Sequence, residues 1–164
     1  MPSRSEYRRM GSPTGRESST GDGPRFSQDA TVVLALARTA LPFAQTRTQE
    51  AERWLRVMRM HGQVGAALQA LGVGEGPLEP PSEEPPAHAA RGQRNTAETV
   101  ERVSRRAVEL ARRSDAECVG TVHVLFAVIE RYGWALDHEL YRRGASRDEL
   151  FARLTTARAD SFPY

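Results

Sequence analysis

Four histidines and one cysteine are the side chains of this chain best suited to metal binding or nucleophilic chemistry, and their spacing favours neither. His61, His88, His123 and His138 share no metal-type interval. A single cysteine, Cys118, excludes an internal disulfide and a Cys-rich metal site. Its apolar neighbours favour a small buried hydrophobe over a reactive thiol. His123 follows Thr121 at the start of an apolar helix, where a hydrogen-bonded structural histidine is favoured over a ligand or general base. His138 lies between Asp137 and Glu139, which reads as a solvated outer surface. There is no lysine, so a Walker A loop and a lysine Schiff base are both excluded. No Ser-His-Asp arrangement and no pair of acids that the sequence can bring together is found. The expectation is a protein without catalytic residues, cofactor or metal.

Arginine supplies all 23 cationic side chains. An isoelectric point near 9.1 raises nucleic acid as a partner. The charge is nevertheless well mixed: net charge is +2, and residues 95–164 balance eleven Arg against eleven Asp plus Glu. Arg102, Arg105, Arg106, Arg112 and Arg113 form the densest cluster. Glu98, Glu101 and Glu109 stand at helical spacings from them, so a solvated, self-neutralised face is expected rather than a phosphate track. Arg8-Arg9 is too short for a nucleic-acid arm.

These side chains must be carried by helices. Residues 1–25 contain almost no large apolar side chain, and residues 74–94 hold five of the ten prolines. Neither stretch buries enough apolar surface to offset its ordering entropy, so a tail and a flexible linker are expected there. Between and after them lie two helical regions, 26–73 and 95–158, with a tail over 159–164. Ser27 caps a first helix with the stripe Val32, Val33, Leu36, Ala37 and Ala40, which Pro42 ends. Thr48 is expected to cap a second helix carrying Trp54, Leu55, Val57 and Met58, stopped by Gly62. A short third runs from about 63 to 71, with Gly72 in the left-handed position past its end. Asn95 and Glu98 have capping-box spacing for a fourth, whose core face is Val100, Val103, Ala107, Leu110 and Ala111. Gly120-Thr121 opens a helix apolar on nearly every side, in which Phe126 is expected to be central; its truncation to Ala would then cost roughly 3–5 kcal/mol. A sixth runs from Trp134 to Arg143, with Trp134, Leu136, Leu140 and Tyr141 apolar. Ser146 and Glu149 box the last, with Leu150, Phe151 and Leu154 inward. No strand period is found. The fold class is all-α, about seven helices.

The two halves share one order of parts. Trp54-Leu55-x-Val57-Met58 corresponds to Leu125-Phe126-x-Val128-Ile129, and residues 64–72 correspond to 135–144. This is a pseudo-twofold duplication. The second half, about Thr96 to Leu154, resembles the amino-terminal repeat of Clp unfoldases. That family's motif reads Gly-Thr-Glu-His followed by leucines; Gly120, Thr121 and His123 match it, and Val122 replaces the glutamate. The first half is a degenerate copy: Phe26-Ser27 resembles the family's opening aromatic and cap, while Glu50, Ala51 and Glu52 stand where Thr-Glu-His is expected. Its closing helix is replaced by the Pro-rich linker.

The resemblance implies a stand-alone double repeat, without the ATPase modules, that docks a protein partner: a Clp ATPase, an adaptor or a client polypeptide. Such a module would recruit clients or act as a decoy in regulated proteolysis. In some relatives the motif glutamates bind phosphoarginine. The matching positions here are Ala51 and Val122, which supply no acceptor for a guanidinium, so loss of that binding is expected. Phe26, Glu50, Ala51, Thr121 and Val122 are the candidate partner-binding residues. Two other readings stay open, a helical nucleic-acid-binding regulator and a structural partner domain whose ancestral sites are dead. The chain has no signal-peptide core and no run of ~20 apolar residues, so a cytoplasmic protein making no membrane contact is expected.

Overall fold

The computed structural model describes residues 23–74 and 89–160, with side chains over 23–74 and 96–156. The expected tail before residue 23, most of the expected linker (75–88) and the last four residues lie outside them. Seven α-helices are found among the described residues: α1 (Gln28–Ala40), α2 (Arg47–Met58), α3 (Gly62–Ala70), α4 (Ala89–Arg113), α5 (Thr121–Tyr132), α6 (Trp134–Arg142) and α7 (Arg147–Asp160). The fold is all-α. A 3₁₀ turn, Leu41–Phe43, follows α1 at Pro42. Two strands of two residues each, β1 (Arg25–Phe26) and β2 (Cys118–Val119), pair in parallel, with Phe26 opposite Val119. Periodicity cannot reveal so short a ladder. Among the described residues no helix is long and apolar enough to cross a membrane.

Local chemistry sets most helix ends. The Ser27 hydroxyl accepts from the Ala30 amide, and the Ser146–Glu149 box closes with both reciprocal bonds. Two expected starts are corrected. Thr46, not Thr48, caps α2, its hydroxyl accepting from the Gln49 amide at 3.2 Å. Helix α4 begins at Ala89, so Asn95 lies inside it and the second helical region opens six residues earlier than expected. Ala89-Ala90 are good helix formers, and the helix runs on through Gly92 and past the local capping signal at Asn95.

The centre of the core is the pair α2 and α5. Trp54, Leu55 and Met58 from one and Val124, Leu125 and Val128 from the other are almost wholly buried. The two helices run antiparallel, as two contacts show. At one end Arg47, in the first turn of α2, donates to the Arg131 carbonyl in the last turn of α5. At the other, the Thr121 hydroxyl in the first turn of α5 accepts from the Val64 amide of α3, just beyond the end of α2. Helix α3 lacks a side-chain cap of its own at His61, so one half of the chain caps a helix of the other. Around this pair the neighbours exchange: α2 packs on α6, and α5 packs on α3.

The duplication extends to atomic detail at the ends of α3 and α6. Gly72 and Gly144 have φ of +70° and +75°. The Val73 amide donates to the Leu68 carbonyl and the Ala145 amide to the Leu140 carbonyl, both at 3.0 Å. These are equivalent 6→1 bonds in two equivalent left-handed terminations, each followed by a buried apolar residue.

Several expectations about burial are overturned, including that for Leu36 of the α1 stripe, which is exposed. Trp134 is 67% exposed and Tyr141 81%. The inner face of α6 is instead Ala135, Leu136, Glu139 and Leu140, so Glu139 is not part of the outer surface. Cys118 is exposed, because alternation along β2 turns Val119 inward and Cys118 out. Phe126 is 37% exposed, on the side of α5 where α7 brings Phe151, the ring centroids lying 5.3 Å apart. Phe126→Ala is therefore expected to cost about 1–2 kcal/mol, from partial burial and one aromatic pair. Urea unfolding followed by circular dichroism checks this; a loss above about 3 kcal/mol would put Phe126 back in the core.

Candidate functional site

The expected binding residues fall into two groups, toward opposite ends of α5. Phe26, Thr121 and Val122 lie at its start. Strand β1 places Phe26 there: the ladder sets it beside Val119, and the Ser27 amide donates to the Val119 carbonyl. Phe26 and Val122 are half-buried against the core, and Thr121 is buried. Glu50 and Ala51 are on α2 near the other end of α5. The two ends are separated by eleven residues, about 16 Å along the axis. They form two separate groups rather than one joint site, and the first draws on both halves.

At the first end His123 is structural. Its Nδ1 accepts from the Gly120 amide at 3.0 Å, the bond from the third helical residue back to the cap residue, and its Nε2 lies 3.3 Å from the Ser114 hydroxyl. Gly120, Thr121 and His123 thus each serve a helix start: Gly120 as the cap residue of α5, His123 as its acceptor, and Thr121 as the acceptor for α3. Val122, between them, is the one member of the motif with no polar duty. It presents a half-buried apolar side chain.

At the second end Ala51 is fully buried, so it presents nothing to a ligand. Glu50 accepts from the Tyr132 hydroxyl at 2.7 Å, and the Trp54 indole N–H donates to the same hydroxyl at 3.3 Å. Glu50 and Trp54 are four residues apart on α2, which lets both reach one phenol. Burial, then the hydrogen bond and charge of Glu50, push the Tyr132 hydroxyl well above its ordinary range, so it remains a neutral donor. The Arg47 and Arg131 guanidinium carbons stand 5.7 and 5.8 Å from the centre of its ring. Arg53 turns to the Phe43 carbonyl and lies over that ring.

Glu52 is also engaged internally. It pairs with Arg56 at 3.0 Å and with Arg143 at 3.5 Å; Arg143 in turn meets the buried Glu139 at 3.7 Å. Arg142 caps this group with a 3.2 Å contact to Glu139. The cluster ties α2 to α6, and Arg143 also donates to the Gly74 carbonyl, the last described residue of the first half. With three guanidiniums around two carboxylates, and Glu52, Glu139 and Arg143 largely desolvated, it is a structural joint between the halves.

No family model matches the chain, and no curated protein matches it.

Three arginines of the α4 face are paired with carboxylates of α4 and α5. Arg102 pairs with Glu98 and Arg105 with Glu101, while Arg106 bridges Glu109 and Glu130. Arg106 holds the Glu130 carboxylate below its ordinary range. Because the folded value is depressed, this pair supports the fold above the ordinary carboxylate range and is lost as pH falls through the lowered value. Among the described residues no group of three or more His, Cys, Asp or Glu is placed to hold a metal ion.

One surface feature was missed from sequence: the stripe of Trp134, His138 and Tyr141 on the outer side of α6. The i, i+4, i+7 spacing of three rings was the available signal. Leu136 and Leu140 are apolar as well, so the apolar pattern alone places Trp134 inward with them.

Proposed function

We propose that this chain is a non-catalytic docking domain related to the amino-terminal double repeat of Clp unfoldases, and that it binds a protein partner: a Clp ATPase, an adaptor or a client polypeptide. What carries this reading is the antiparallel α2/α5 pair, with the Gly120-Thr121-Val122-His123 turn capping helices of both halves. The motif that resembles the family's signature sits where two equivalent halves meet, and its polar members are committed to helix caps. Phe26 and Val122, half-buried at this turn, are the apolar residues it offers as anchors for a partner. Lacking a lysine for a phosphate loop, the chain acts by binding rather than by nucleotide-driven unfolding. Recruiter and decoy roles both follow from the same docking step. Affinity capture from the native lysate tests the proposal directly.

The ancestral chemistry is lost under the same reading. A phosphoarginine site takes a carboxylate to pair with the guanidinium. Ala51 is buried, Val122 is apolar, Glu50 serves Tyr132, and Glu52 serves Arg56 and Arg143. Titration calorimetry with free phosphoarginine is expected to show no specific heat. Micromolar binding would mean that Glu50 or Glu52 leaves its internal partner for the ligand. Ala51→Glu would not restore the first site, since it would bury an unpaired carboxylate in the core. Val122→Glu, at a half-buried position, is the better test of whether the second can be rebuilt.

A further inference from the structure

We draw no further inference here: the strongest candidate, the exposed stripe of Trp134, His138 and Tyr141 along the outer side of α6, carries nothing because nothing in the structure shows what covers it.

Discussion

Trp54→Ala is expected to destabilise the domain by about 3–5 kcal/mol, the range for truncating a large buried aromatic side chain. Trp54 is fully buried at the centre of the α2/α5 pair, and its indole N–H is bonded to the Tyr132 hydroxyl. The substitution removes the ring and leaves Tyr132 with a vacancy beside it. Trp54→Phe keeps most of the volume but drops the donor, so it should cost less. Trp134→Ala is the control. That ring is largely exposed on α6, and its loss should change stability by no more than about 0.5 kcal/mol. Urea unfolding monitored by circular dichroism compares the three on one scale. Equal costs for Trp54→Ala and Trp134→Ala would mean that the buried pair is not the centre of the fold.

Gly62→Ala should be the most damaging glycine substitution at a left-handed position. Gly62 has φ of +64°, and an added Cβ would stand 2.8 Å from the Thr121 hydroxyl oxygen and 2.9 Å from its methyl. The left-handed backbone costs about 1–2 kcal/mol for a non-glycine residue, and overpacking a tight contact adds about 1–3 kcal/mol. Thr121 is itself buried, so it has little room to retreat. Gly72→Ala and Gly144→Ala meet nothing within 4 Å, so they should show the backbone part alone. Removing the hydroxyl and methyl in a Gly62→Ala, Thr121→Ala double variant should cost less than the sum of the single changes. Strict additivity would show that Gly62 and Thr121 do not touch, and the junction between the halves would have to be redrawn.

The sequence was most legible where a signal is local. Ser27, the Ser146–Glu149 box and the glycine after α3 each act within one turn of chain, and all three stand where the residue types place them. The spacing of Trp54, Leu55 and Met58 and of Leu125 and Val128 likewise identified the buried helices. Two threonines two residues apart defeated the same method at α2. Acids in the first turn suit either start, and only the Thr46–Gln49 bond distinguishes them. Helix α6 was misread for a deeper reason. Its inner face includes Glu139, which is tolerated there because Arg143 and Arg142 neutralise it from the following turn. With a carboxylate inside and two rings outside, the apolar count points the wrong way.

The candidate site was legible only in part. His123 was read as structural, and the Gly120 bond supplies the partner that reading required. The duties of Thr121 and Glu50 were not legible, because their partners, Val64 and Tyr132, are 57 and 82 residues away. Both polar candidates turn out to be engaged within the fold. That leaves Phe26 and Val122 as the candidate residues with surface to offer, and apolar docking as the chemistry available to them.

We propose above that this chain binds a protein of the Clp unfoldase system. Affinity capture of the tagged full chain from native lysate, with and without nuclease and quantified by mass spectrometry, tests it most directly. The account predicts nuclease-resistant enrichment of a Clp ATPase, one of its adaptors or their client polypeptides. That enrichment should weaken when Phe26 and Val122 are both changed to Ser in a variant whose circular dichroism is unchanged. Recovery of nucleic acid with only nuclease-sensitive proteins, or of nothing beyond the untagged control, would contradict it.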